Sequence, residues 1–325
     1  MISEYDIYVL LLAVTLVVAV VRMNSTAYHL LIWPLLFFYS YTVRNAGFDQ
    51  DVGVYVGIFT SPWSLESIYF LREPVFWLSS QYLNTVLGTP EATLILLDMV
   101  SFAVLYLCQR LLGMPRFFIL LYLILFPAVM GMQNIYRQHL ATIFCLCALA
   151  LARKNHVAQY PVMILAVLTH NVAGLFVPLL FARRSGVSPS LWMMLGMLMV
   201  MAVVPLFLES KSFSDSGGDL RVAYLSAVTL LVGTIMLSYR MRITEEKARD
   251  VWMLVYFLLL SFYGTIILGP AQAERVCMIC IVLALPSLFR VMDAYFRESV
   301  ALRCVAISVM ASATFMFSAV TQFMN

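Results

Sequence analysis

Between two apolar runs, residues 117–132 and 142–151, lies the stretch Gln133-Asn134-Ile135-Tyr136-Arg137-Gln138-His139-Leu140-Ala141. It sets a guanidinium, an imidazole, a phenol and three side-chain amides inside a chain that is 63% hydrophobic. An ionisable group at membrane depth is costly, so such a cluster reads first as a functional site. A guanidinium suits phosphate, because its planar fork donates two parallel hydrogen bonds and stays charged at any working pH. Arg137 is therefore expected to hold a phosphate or a pyrophosphate, with Tyr136, Gln138 and His139 beside it. The plainer alternative is an arginine that anchors a helix end at the headgroups.

Other residues of the same chemistry lie elsewhere in the chain. Arg44, Arg72, Arg221 and Arg275 are further candidate phosphate ligands, and Asp49, Asp51, Glu73 and Glu274 are their acidic neighbours. A pyrophosphate that leaves a carbon needs its charge neutralised, and positioned cations supply that without a metal. The attacking hydroxyl then needs a base, usually His, Asp or Glu. His170, His139, Glu73 and Asp49 are the candidates, and the residues alone do not choose among them. Each has a plainer reading: a turn former at Asp49 and Asp51, a weak surface ion pair at Arg72-Glu73 or Glu274-Arg275, and a helix-end hydrogen bond at His170. Asp98 lies inside an apolar segment, where one partner would account for it.

These residues must be positioned by helices that cross a membrane. Only 11% of the 325 residues are charged, where soluble domains carry about 25%. Mean hydropathy is +0.93. The apolar runs do not alternate, which excludes a strand barrel. The expectation is one all-α polytopic domain over residues 1–325, a bundle of about ten to eleven transmembrane helices. Apolar segments mark helices near 7–21, 27–43, 92–109, 117–132, 139–152, 157–182, 191–208, 222–239, 251–268, 276–289 and 300–320. The lead-in Ser3-Glu4-Tyr5-Asp6 is acidic and no small-residue cleavage site follows, so the first helix is expected to be retained.

Basic clusters at Arg110/Arg116, Arg153/Lys154, Arg183/Arg184, Arg240–Arg249 and Arg290–Arg303 belong on the cytoplasmic side by the positive-inside rule. Alternating spans satisfy that rule everywhere except across 157–182, which has basic clusters at both ends. With Thr169-His170-Asn171 at its centre, that segment is expected to be a broken or re-entrant hairpin, tolerated only against protein or a wet cavity. Both chain ends then lie outside. Arg44, Arg72, Arg137, Arg221 and Arg275 all fall at the external face. So do two external segments: 44–91, with an interfacial helix near 75–87, and the Ser/Gly/Asp-rich 209–221.

No Walker loop, G-x-S-x-G or H-E-x-x-H occurs, and paired basic residues between spans are no nucleic-acid footprint. Cys277 and Cys280 form a C-x-x-C within an apolar run and read as small packing residues. Neither a metal site, a disulfide nor a cofactor is expected.

Asp49-x-x-x-x-x-Tyr55 with Arg72-Glu73-Pro74, Asn134-x-x-Arg137-Gln138-x-x-Ala141 and Thr169-His170-Asn171 together resemble the EpsG-type branch of bacterial O-antigen and exopolysaccharide polymerases. The likeness covers roughly residues 40–180. Asn171 and Val172 stand where that family has a small residue after the histidine, a departure at that turn.

The resemblance implies a GT-C-like membrane glycosyltransferase in the bacterial inner membrane, with its site facing the periplasm. It would move a growing glycan from undecaprenyl diphosphate onto an incoming lipid-linked oligosaccharide, without metal or nucleotide sugar. Its partners would be those lipids, the bilayer, and chain-length regulator and flippase proteins of the same pathway. The alternatives are another GT-C-like transferase, an O-antigen ligase, or a flippase of lipid-linked glycans. A ligase calls for a larger external domain, and a transporter for paired half-repeats; neither is visible.

Overall fold

The computed structural model describes residues 4–21, 23–47, 50–60, 71–181, 189–207, 219–240, 245–296 and 299–315, and every regular element among them is helical. In chain order these are α1 (Glu4–Val20), α2 (Ser25–Asn45), α3 (Gln50–Phe59), α4 (Pro74–Leu87), α5 (Pro90–Leu112), α6 (Phe118–Ile124), α7 (Phe126–Gln133), α8 (Tyr136–Arg153) and α9 (Gln159–Thr169). A 3-10 turn (Asn171–Phe176) leads to α10 (Pro178–Phe181). Then come α11 (Pro189–Phe207), α12 (Arg221–Arg240), α13 (Glu245–Ile267), α14 (Pro270–Tyr295) and α15 (Val300–Phe315).

Local chemistry sets many of the boundaries. Pro74, Pro90, Pro127 and Pro270 sit in the first turns of α4, α5, α7 and α14, where a missing N–H costs nothing. Gly88 and Gly113 close α4 and α5 in the left-handed conformation, at φ 79° and 62°.

Helix α8 is the hub. Nearly every residue from Tyr136 to Ala152 is buried, and α5, α7, α9 and α14 pack around it. A helix that is apolar all round belongs inside a bundle. Its two ends define the two ends of the molecule. At one end lies Arg137. At the other, Arg153 and Arg290 share the carboxylate of Asp250.

Among the described residues, four helical stretches are long and apolar enough to cross a membrane: Pro90–Leu112, Arg221–Tyr239, Asp250–Ile267 and Pro270–Tyr295. Shorter apolar helices accompany them. Leu198, Met199, Leu230, Leu237 and Ile266 are all more than half exposed, an outer apolar surface suited to lipid.

Three expectations change in detail. The run 117–132 is two helices: Leu125 is extended (ψ 144°) ahead of Phe126-Pro127, where a continuous helix would lack the Pro127 N–H and set its ring against the Leu123 carbonyl. The acidic turn near Asp51 is instead the start of α3, which the short run with Gly53 and Gly57 did not announce as a helix. The segment near 276–289 extends over all of α14.

The 157–182 segment does break at His170, whose φ and ψ of −155° and 122° are extended. Beyond it the Leu175 carbonyl accepts from Tyr256, only about 9 Å along α13 from Asp250 at 1.5 Å per residue. The chain therefore rises to His170 and turns back.

Candidate active site

The carboxylate of Glu73 is the centre of the site. One oxygen faces Nη1 of Arg137 and the other faces Nδ1 of His170. Glu73 is the residue just before α4 and His170 the break after α9, while Arg137 stands in the first turn of α8. A chain break or helix start thus presents each group at the same end of the bundle. The backbone N–H of Asn171 also donates to Glu73, so the turn after His170 helps to hold the carboxylate.

A carboxylate only accepts, so Nδ1 of His170 carries the proton and Nε2 the lone pair. Burial alone would raise the carboxyl of Glu73. The His170 hydrogen bond and the charge of Arg137 outweigh that and hold it below the usual glutamate range. Glu73 is consequently an anion at neutral pH.

Aromatic rings complete the cradle. The guanidinium of Arg137 lies 5.0 Å from the ring centre of Tyr55 and 4.9 Å from that of Trp77, within cation–π range. Trp77 is one turn beyond Glu73 on α4, and Tyr55 one turn beyond Asp51 on α3. The i, i+4 spacing of each pair is a sequence signal for both rings; Tyr55 also closes the Asp49-x-x-x-x-x-Tyr55 motif, whereas Trp77 is absent from the expected site residues.

Asp51 and Arg275 extend the site outward. Their side chains approach to 3.6 Å and remain 42% and 30% exposed, and the Tyr55 hydroxyl donates to Asp51 at 3.4 Å. Gln138 ties Arg275 to α8, its Nε2 donating to the Arg275 carbonyl at 2.9 Å. The structure thus brings Glu73, Arg137, His170, Asp51, Arg275 and Gln138 together.

Other expected site residues lie apart from that cluster. Arg44 and Tyr136 are buried, not exposed to a substrate: Arg44 forks onto Asp98 and Tyr136 donates to the same carboxylate. His139 follows Arg137 by two residues and so points elsewhere on α8. It lies against Tyr122 on a small cavity of about 10 Å³, with Gln138, Thr142 and Met278 also in its wall. Nε2 of His139 and Oε1 of Gln138 are buried there without protein hydrogen-bond partners. Arg221 is bound to Asp219, and Glu274 accepts from the Leu220 backbone, a separate polar group between α12 and α14. Arg72 is exposed. Asp49 lies outside the described residues.

Cys277 and Cys280 are buried and free. Among the described residues no three His, Cys, Asp or Glu side chains come together in a way that would hold a metal ion.

Neither a curated protein nor a solved structure matches the chain. A family model does, over residues 26–325, and it spans every element of the site. The chain belongs to the EpsG family.

Proposed function

We propose that this protein is a membrane glycosyltransferase that polymerises lipid-linked oligosaccharide repeat units. EpsG membership supports a polysaccharide polymerase-like role. The observation that carries the reaction is the Glu73 carboxylate held between Arg137 and His170, at one end of an apolar bundle.

In this reading a hydroxyl of the incoming unit attacks the anomeric carbon of the growing chain. The new C–O bond forms as the bond to the diphosphate oxygen breaks, and the leaving group takes the electron pair. Nε2 of His170 takes the hydroxyl proton, while Glu73 fixes the ring and stabilises its charged form. Arg275, joined to Asp51 only loosely and partly exposed, meets the diphosphate. Arg137 adds its charge beside it, at the positive end of the α8 dipole.

The donor is a growing glycan on undecaprenyl diphosphate. In this reading the site faces the periplasm of the inner membrane, since Arg153 and Arg290 lie at the opposite end of α8 and basic residues favour the cytoplasmic side. The shorter apolar helices then join the four long ones towards ten or eleven spans, in a GT-C-like bundle. Chain-length regulators and flippases of the pathway are the expected protein partners.

The test is the chain-length profile of the surface glycan in a deletion strain complemented with wild type or Arg137→Ala. Only wild type should restore a ladder above one repeat. A wild-type ladder from Arg137→Ala removes Arg137 from the reaction. A ladder that survives deletion but lacks one sugar per unit makes the protein a single-addition transferase.

A further inference from the structure

Beneath the site lies a second polar group that the proposed reaction does not touch. Asp98 of α5 accepts four hydrogen bonds on its two oxygens. Arg44 Nη2 at 2.8 Å and the Tyr136 hydroxyl at 2.6 Å reach Oδ1, while Arg44 Nε at 2.8 Å and the Ser40 hydroxyl at 2.6 Å reach Oδ2. Arg44 Nη1 donates to the Met132 carbonyl at 2.8 Å, and its guanidinium lies 4.5 Å from the centre of the Tyr136 ring. Arg44 is 2% exposed and Asp98 fully buried.

Such a pair is a poor device for stability. The desolvation of two ions consumes what their attraction returns, and apolar residues of similar size often serve as well. What a fully satisfied pair does supply is one fixed geometry. Here the geometry is that of the α7–α8 break. Arg44 grips the last turn of α7 through Met132, and Asp98 grips the first residue of α8 through Tyr136. The residue after Tyr136 is Arg137. Asn134 and Ile135, which join the two helices, have non-helical angles (φ, ψ of −124°, −66° and −97°, 50°), so no continuous helix sets the angle at which Arg137 projects.

We infer that Arg44, Asp98 and Tyr136 are positioning residues: a buried clamp that holds the start of α8 so that Arg137 meets Glu73. The inference rests on the proposed reaction for its effect on rate, but its geometric content stands without it.

The test replaces the clamp by apolar side chains in the full-length protein, as Arg44→Met/Asp98→Leu/Tyr136→Phe, alongside Tyr136→Phe alone. Ser40 can then turn its hydroxyl to a carbonyl of its own helix. In proteoliposomes with a lipid-linked repeat unit, the triple variant should melt close to wild type. Its kcat should fall roughly 100-fold, as expected of a catalytic group displaced by about 1 Å, with KM little changed. A folded triple variant with wild-type kcat overturns the inference. If the triple variant does not fold, Tyr136→Phe decides: lower kcat at unchanged melting and KM supports the clamp, and wild-type kcat overturns it.

A second readout separates this inference from the proposed reaction. Five of the six cysteines are buried and Cys304 is partly so, so Arg137→Cys in a Cys304→Ser background gives one thiol to a water-soluble maleimide. Adding the Tyr136→Phe substitution should raise its labelling rate severalfold if the clamp fixes that position. An unchanged rate overturns the clamp, whether or not the protein polymerises glycans.

Discussion

Glu73 is the residue on which the site turns, and its charge has a measurable signature. Its folded carboxyl lies below the ordinary range, so the unfolded chain binds the proton more readily. The stabilisation is complete above the unfolded value of about 4.3 and disappears as pH falls through the lower folded value. Melting temperature against pH should therefore show an acid limb for wild type that is weaker in Glu73→Gln, with the two curves converging at low pH. Parallel curves would mean that Glu73 contributes no such linkage. Glu73→Gln should also lower kcat by roughly 10²–10⁴, the usual range for a disabled acid–base unit, in the proteoliposome assay. Arg275→Ala, by contrast, should raise KM for the lipid diphosphate more than it lowers kcat, since its ion pair is loose and its side chain reaches solvent. Equal losses in both variants would remove that division between reacting and binding groups.

At the level of elements, the site depends on interruptions. His170 and Arg137 are displayed because α9 stops and α8 starts where they do, and Glu73 because Pro74 opens α4. The approach of α7 to α8 is also close. A Cβ on Gly131 would fall on the imidazole of His139, which is itself enclosed by α6 and α14. Gly131→Ala should destabilise the fold by about 1–3 kcal/mol, the usual effect of overpacking, and read as a lower melting temperature in detergent. A wild-type melt would mean that the α7–α8 contact relaxes to accept the methyl. The same interruptions explain what was hard to read beforehand. Arg137 and His139 are two residues apart, and only the helical direction of α8 shows that one faces Glu73 and the other a small pocket beside Tyr122.

For the molecule as a whole, the two ends of α8 are built on opposite plans. At the Arg137 end, Glu73 and Asp51 sit opposite two arginines and leave a partly open face. At the other end one buried carboxylate, Asp250, gathers Arg153 and Arg290 from two further elements. Asp250→Ala leaves both cations facing each other without an anion, and removing one partner of a buried pair costs about 3–5 kcal/mol. Its melting temperature should fall sharply, whereas thiol labelling at Arg137→Cys should keep its rate in the protein that remains folded. A large change in that rate would show that the far end governs the site as well.

Composition and hydropathy by themselves determined the class: with so few charges and unbroken apolar runs, the backbone can only satisfy its hydrogen bonds as helices. Charge placement along the chain located the break at His170 and drew attention to Arg137 and Glu73, because ionisable groups in such a chain need a reason to be there. Partner choice was not legible. Arg44 and Arg275 are the same residue type in similar settings, yet one is locked on Asp98 beneath the surface and the other reaches solvent beside Asp51. That distinction depends on how α2 meets α5 and how α14 meets α3, residues 54 and 224 positions apart in contact through their side chains. Hydrogen bonds across such separations are set by packing, which no local pattern encodes, and tertiary structure alone decided which arginine is buried on Asp98 and which one reaches solvent beside Asp51.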